Sequence, residues 1–407
     1  MPQSFVRMSA TKTHIDKKKS LVPILRFKEV NDAWHSHKIG EIINNKSQKY
    51  NPEKAKESFK CIELEHLSTS TGELLGYIDS VNSASIKNKF NNGDILFGKL
   101  RPYLRKYLRA PFDGVCSSEI WVLKGEKINN DFLYQIVQSD FFINLANQST
   151  GSKMPRADWN VVANGIINFP TLPEQQKIAS FLSAVDEKLQ QLTRKKQLLE
   201  QYKKGVMHQL FLGKLRFKDE NGKAFPKWEE KRLGDICTFF SGGTPASTNK
   251  EFYSGNIPFI GSGNIYDSEV DSFITEEALN SSSAKIVEQG DLLYALYGAN
   301  SGEVAISKIQ GAINQAILCI RSEEDIKYLY YVLLLNKDKI VAKYLQGGQG
   351  NLSANIIKRL KYKLPSIEEQ KKISNYLSNI DNKIENVNKQ ITQTQTFKKG
   401  LLQQLFV

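Results

Sequence analysis

The sequence predicts an α+β protein: two similar mixed α/β domains separated by two long helices that form an antiparallel coiled coil, with internal pseudo-twofold symmetry. Three observations carry that expectation. A stretch of the first half recurs in the second half at a constant offset, and each copy has apolar residues at a 3.5-residue period. Between the copies lie short runs rich in Ile, Val, Phe and Tyr, separated by Gly, Asn, Ser and Asp clusters.

The repeat fixes the organisation. Pro170 to Phe211 aligns without a gap on Pro365 to Phe406, an offset of 195. The shared frame includes Glu174/Glu369, Gln175/Gln370, Ile178/Ile373, Leu182/Leu377, Asp186/Asp381, Lys203-Lys204-Gly205/Lys398-Lys399-Gly400 and Gln209-Leu210-Phe211/Gln404-Leu405-Phe406. A second echo pairs Trp34 and Lys38-Ile39-Gly40-Glu41-Ile42 with Trp228 and Arg232-Leu233-Gly234-Asp235-Ile236, and Leu25-Arg26-Phe27 with Leu215-Arg216-Phe217. The chain therefore reads as a flexible basic tail over 1–20, a first domain over 21–169, a helical spacer over 170–214, a second domain over 215–364 and a second spacer over 365–407.

Each spacer opens on a capping box, Thr171 with Glu174 and Ser366 with Glu369, so the helix starts are marked. The first seam is Ile178, Leu182, Val185, Leu189, Leu192, Leu199, Val206, Leu210; its partner is Ile373, Leu377, Ile380, Ile384, Val387, Ile391, Leu401, Leu405. So narrow a stripe favours helix pairing over docking on a broad core, the competing reading. Lys196, Lys203, Thr394 and Lys398 interrupt the seam, as register-fixing groups or as exposed ones. Helices of this length span about 57 Å at 1.5 Å per residue.

Inside the domains, Asn92-Gly93-Asp94-Ile95-Leu96-Phe97 and Gln289-Gly290-Asp291-Leu292-Leu293-Tyr294 are matching turn-to-strand units, and 131–144 and 324–339 carry matching helical periodicity. After the first strand comes 98–106, where cations alternate with apolar residues; it reads as a strand end that lays Lys99, Arg101 and Arg105, with Tyr103, along phosphates or base edges. A merely solvated basic strand is the alternative. The second domain has Tyr297, Asn300 and Ser301 at this place, uncharged but able to hydrogen-bond, so the halves do not read alike. Late in each domain lies a polar loop, with Ser152, Lys153 and Arg156 in one and Gln346, Gln349 and Asn351 in the other, suited to reaching base edges.

Composition bounds the function classes. The 407 residues carry a formal charge of +13, which favours a polyanionic partner. No stretch is apolar enough for a membrane span, no secretory run opens the chain, and Cys61, Cys116, Cys237 and Cys319 lie far apart, so a reduced cytoplasmic setting is expected. His14, His35, His37, His66 and His208 form no metal-spaced pair, and no catalytic set is identifiable. The run 93–100 fits a phosphate-cradling loop except at its last position, where Leu100 replaces the required hydroxyl. No Pro-Pro pair is present, as a methyltransferase motif of the Asn-Pro-Pro-aromatic type would need.

The run Leu172-Pro173-Glu174-Gln175 to Asp186, its copy Leu364-Pro365 to Asp381, the Trp-x4-Ile/Leu-Gly-Glu/Asp-Ile openings and the Gly-Asp-Ile/Leu-Leu strands together resemble specificity subunits of type I restriction–modification systems over essentially the whole chain. That resemblance implies a non-catalytic chain whose two target-recognition domains each read half of an asymmetric, bipartite site on double-stranded DNA. The helices would set the gap and dock two methyltransferase subunits, joined by restriction and translocase subunits. S-adenosylmethionine, ATP and magnesium would sit on those partners, with none on this chain. A two-domain coiled-coil scaffold with incidental DNA binding is the alternative.

Overall fold

The structure, a computed structural model, describes residues 5–7, 23, 25–30, 32–54, 57–82, 85–148, 154–345 and 351–406. They fall into two units, Met1–Arg194 with Asn388–Val407, and Lys195–Val387. The helices are α1 Asn130–Ile136, α2 Asp140–Asn147, α3 Trp159–Asn164, α4 Leu172–Phe211, α5 Leu233–Ile236, α6 Glu276–Asn280, α7 Ile326–Leu345, α8 Ala354–Arg359 and α9 Ile367–Leu405. Both long helices thus begin in one unit and end in the other.

The continuous apolar runs form strands buried on both faces, as alternation of side chains across a strand requires. In the first unit a four-stranded antiparallel sheet runs in the order Tyr107–Arg109, Ile95–Gly98, Ile120–Gly125, Ile43–Asn44. Ile95, Phe97, Trp121 and Leu123 face a core shared with α1 and α2, while Leu96, Ile120 and Val122 face a second sheet. That second sheet orders Lys49–Tyr50, Lys87–Phe90, Gly114–Cys116, Lys60–Ile62 and Ile78–Asp79. The second unit repeats the plan: Leu292, Tyr294, Leu318 and Ile320 face α7, and Leu293, Ala295, Ile317 and Cys319 face the sheet of Ile257–Ile260 and Gly311–Ile313.

The turns before the central strands are alike. Gly93 and Gly290 sit at φ +85° and +97°, where a Cβ would be strained, and the following Asp94 and Asp291 carboxylates accept the amides of Asn91 and Glu288, each at 2.8 Å. Each domain is closed by pairing its opening strand with the strand before its long helix, His35–Lys38 with Ile166–Phe169 and Glu229–Arg232 with Lys361–Leu364. The glycines of the Ile/Leu-Gly motif allow close approach: a Cβ on Gly40 would lie 2.9 Å from that of Ala163 on α3, and one on Gly234 would lie 3.0 Å from the Lys358 carbonyl on α8. Of the segment expected to be a mobile tail, Phe5–Arg7 pairs antiparallel with Leu25–Phe27; the rest of 1–20 lies outside the described residues.

The capping-box glutamates serve a different purpose from the one expected. Glu174, fully buried, accepts Arg26 Nε and Nη2 at 2.8 Å each and Trp34 Nε1 at 3.2 Å. Glu369, also fully buried, accepts Arg216 Nε at 3.0 Å, Arg216 Nη2 at 2.6 Å and Trp228 Nε1 at 3.0 Å. Each carboxylate therefore bonds out to its own domain instead of back to its helix start. Thr171 Oγ1 in turn donates to Asp32, at 3.2 Å. The next residue repeats the logic. Gln175 takes the Asn129 amide and donates to the Pro170 carbonyl, and Gln370 takes the Asp325 amide and donates to the Pro365 carbonyl.

In each unit the start of one long helix lies antiparallel to the end of the other. Ile178 and Leu182 share a core with Leu401 and Leu405 in the first unit; Ile373, Leu377 and Ile380 share one with Met207 and Leu210 in the second. These cores include the domain helices, with Phe132, Leu133 and Ile136 of α1 in one and Tyr328, Leu329 and Val332 of α7 in the other. The seam is thus also a domain wall, and the narrow stripe is completed by the domain. Leu192 and Val387 are buried, while Val185, Leu189, Leu199, Ile384 and Ile391 are half-buried. Two of the polar interruptions fix register. Lys398 donates to Asp186 and Gln138 in the first unit, and Lys203 donates to Asp381 at 2.5 Å in the second. Burial pushes the Lys398 ammonium below its ordinary value, against the pull of Asp186.

Truncating one partner of a buried pair strands the other charge, so Glu174→Ala is expected to cost about 3 to 5 kcal/mol in urea unfolding. Glu369→Ala should cost less, because the Arg216 side chain retains 30% exposure against 8% for Arg26. A double-mutant cycle on Lys398→Ala and Asp186→Ala should give a coupling of about 1 to 3 kcal/mol. The Lys203–Asp381 cycle should give less, since Asp381 is 36% exposed and Asp186 is 18%.

Candidate nucleic-acid interface

The segment 98–106 does not continue as a strand. The strand ends at Gly98, and Pro102–Leu104 makes a single 3-10 turn between two left-handed residues, Arg101 at φ +52° and Arg105 at φ +51°. Proline at the first position of that turn fixes the break, so the expected alternation of cations on one strand face is lost. Arg101 and Tyr103 remain exposed, the latter at 53%. Arg105 is turned inward, pairing with Asp140 and donating to the Gln138 carbonyl, and its hydrogen bond holds the Asp140 carboxyl below the usual carboxylate range. Arg105 thus already has a carboxylate partner on α2, which Arg101 does not have among the described residues.

The basic turn and the polar loop meet. Arg101 N donates to the Pro155 carbonyl and Ala157 N to the Lys99 carbonyl, each at 2.8 Å, and Arg156 pairs with Glu119 at 3.1 Å while keeping 60% of its side chain exposed. Ser152 and Lys153 lie outside the described residues. The second unit makes the same junction: Leu352 N donates to the Leu296 carbonyl at 2.9 Å, placing exposed Asn351 beside the turn that carries Tyr297, Asn300 and Ser301. Those three are half-exposed, Ser301 Oγ donates to the Gly298 carbonyl at 2.9 Å, and Asn300 lies beside Gly263 of the 261–264 turn. Gln346 and Gln349 lie outside the described residues.

A feature the sequence reading missed adjoins Lys99. Asn45, Lys46, Ser47, Lys49, Asn88, Lys99, Ser118 and Trp121 line a cleft of about 350 Å³, and Lys46 and Ser47 continue into a neighbouring one of about 600 Å³ that reaches Lys89 and Lys124. Lys124 is paired with Asp94 at 3.1 Å. Lys46, Lys49, Lys89 and Lys99 have no carboxylate partner among the described residues. Asn88 organises the floor, donating to the Ile120 carbonyl at 3.0 Å and accepting Lys49 Nζ at 2.5 Å. Ammonium groups free of carboxylates around a groove, with amides between them, suit a phosphate backbone. The signal was present in the Lys87-Asn88-Lys89 alternation, but only sheet pairing brings it to the 45–49 loop and Lys99.

Among the described residues, no group of three or more His, Cys, Asp or Glu side chains is placed to hold a metal ion, and no helix is long and apolar enough to cross a membrane.

Comparison with known proteins agrees with this geometry. The type I restriction modification DNA specificity domain matches twice, over residues 31–201 and 226–395, each match covering a domain and the first part of its long helix. The chain is 28% identical over 336 residues to the MjaVIII specificity subunit of a type I restriction enzyme from Methanocaldococcus jannaschii, covering 77% of this chain and 75% of the relative. It is 26% identical over 408 residues to the putative MjaX specificity subunit of the same organism, covering 92% and 93%. The crystal structure of a type I restriction–modification S subunit from M. genitalium shares the fold with a TM-score of 0.61 over 95% of this chain and 99% of its own, at 17% identity. A chain from work on complex assembly and conformational transition of the type I R-M system gives 0.58 over 91% and 96%, at 21% identity. With the domain found in both halves and the two halves folded alike, the protein belongs to the type I restriction–modification DNA specificity domain family.

Proposed function

We propose that this chain reads an asymmetric, bipartite site on double-stranded DNA, one half per domain, and docks two methyltransferase subunits that modify adenine, with restriction and translocase subunits completing the assembly. The observation that carries the reading is the doubled specificity domain whose equivalent junctions carry unlike side chains, Lys99 and the exposed Arg101 in one, and Leu296 followed by Tyr297 and Asn300 in the other. Unlike rims on like scaffolds read unlike half-sites. The relatives named above are specificity subunits, which supports a division of labour in which chemistry, with S-adenosylmethionine, ATP and magnesium, belongs to the partners.

Docking has its own support. Leu198 and Tyr202, one turn apart on α4, keep 47% and 51% of their surface exposed, a spacing that sets two apolar side chains side by side on one face where a partner helix can cover them. Burying such a group contributes roughly 1.5 to 3 kcal/mol.

Sequencing adenine methylation in a host with and without this chain tests the reading: one motif with two separated parts is expected, whereas a scaffold would leave no sequence signature. Arg101→Ala is expected to weaken cognate duplex binding by about 1 to 3 kcal/mol without changing subunit assembly. Arg105→Ala should instead lower the unfolding midpoint of the chain, with DNA affinity preserved wherever the fold persists, because its guanidinium is already spent on Asp140 and Gln138.

A further inference from the structure

The two domains share a scaffold but not its electrostatics, and the sheet registers allow the comparison residue by residue. Ile95–Gly98 corresponds to Leu292–Ala295, and Lys87–Phe90, through its pairing with Gly114–Cys116, corresponds to the strand Lys285–Val287 paired with Gly311–Ile313. On that register Lys99 is replaced by Leu296 and Lys89 by Ile286. Asn44 opposite Lys124 corresponds to Thr238 opposite Arg321, so counting on, Lys46 is replaced by Phe240. Two changes run in the other direction: Lys285 stands where the first domain has Asn88, and Gln310 where the first domain has the groove-lining Asp113.

The replacements are apolar and partly buried. Leu296 is 5% exposed, and the Phe240 ring is covered by the Arg321 guanidinium at 5.2 Å, itself bonded to Asp291. The arginine that could have offered a phosphate contact is therefore committed to a carboxylate. Bulk charge follows the same direction, with 19 Lys and Arg against 16 Asp and Glu over 21–169, and 18 against 18 over 215–364. The difference is small in sum, so its concentration in one groove is what matters.

We propose that the two domains hold DNA by unlike means: the first supplies the sequence-independent grip on phosphates through Lys46, Lys49, Lys89 and Lys99, and the second engages its half-site with uncharged groups and contributes little grip. The inference rests on the DNA-reading function above. Its physical consequence is that counterion release on binding arises mainly under the first domain. Salt dependence of affinity is then a property of one half of the chain, and sequence choice in the second half is nearly independent of salt.

The test uses the full chain and a duplex of about 30 base pairs of arbitrary sequence, since a phosphate grip ignores sequence. Affinity is measured from about 50 to 200 mM salt for the parent chain, for Lys46→Gln/Lys49→Gln/Lys89→Gln/Lys99→Gln, and for Lys250→Gln/Lys285→Gln/Lys308→Gln in the second domain. Thermal melting checks that both variants remain folded. At a slope of about −0.9 per phosphate, loss of four lysines should remove roughly 3.6 from the slope of log affinity against log salt. Across that salt range the parent should therefore weaken about 150-fold more than the variant does. The second-domain variant should lose about one or less. Equal losses in the two variants, or an unchanged slope in the first, overturn the unequal grip while leaving the DNA-reading function standing. A parent chain that binds with no salt dependence at all, together with no methylated motif in the host, removes that function and the inference with it.

Discussion

A carboxylate that has lost its water must be met by donors on every side, and that requirement at the third residue of each long helix governs the rest of this structure. Glu174 is met by Arg26 and Trp34, and Glu369 by Arg216 and Trp228. Arginine and tryptophan come from the segment that opens each domain, and the glutamate from the helix that follows it. The node therefore joins the two ends of every domain. Beside it, Gln175 and Gln370 hold the amides that begin α1 and the turn into α7, so the domain helices are oriented by the same helix start.

From that anchor the long helices carry out two tasks at once. Their apolar stripe is too narrow to bury itself on a single neighbour, and each unit completes it with the end of the other helix and with the domain's own core, Phe132 in one and Tyr328 in the other. Lysine on a seam would ordinarily weaken it. Here Lys398 and Lys203 meet Asp186 and Asp381, and a shift of one turn would leave both members of each pair without their partner in a partly buried site. Stability from the apolar positions and register from the charged ones are thus supplied by different residues of the same repeat.

The rims of the domains answer to different constraints. Their backbone is held by equivalent hydrogen bonds, Ala157 to Lys99 and Leu352 to Leu296, so side chains above these junctions are free to differ without disturbing the fold. The difference extends to the neighbouring face, where the first domain has a groove of lysines without carboxylate partners and the second has Phe240, Ile286 and Leu296 on its own strands. Exposed side chains on a rigid frame are where recognition diverges at least cost to stability.

The sequence by itself determined what repeats: the helices, the strands after Gly93 and Gly290, and the identity of Arg26, Trp34 and Glu174 as a recurring set. It determined these because periodicity and duplication are written along the chain and need no knowledge of distance. Only the tertiary structure decided what the recurring residues do. The capping glutamates proved to be buried anchors, because Arg26 and Glu174 are far apart in sequence and meet only when the domain closes. The basic run 98–106 proved to be a turn, because Pro102 and two left-handed arginines break the strand, and Arg105 was claimed by Asp140 on α2. The lysine groove was invisible for the same reason: its members come from a loop, a strand of one sheet and the end of a strand in another, and sheet pairing, a long-range event, is what assembles them.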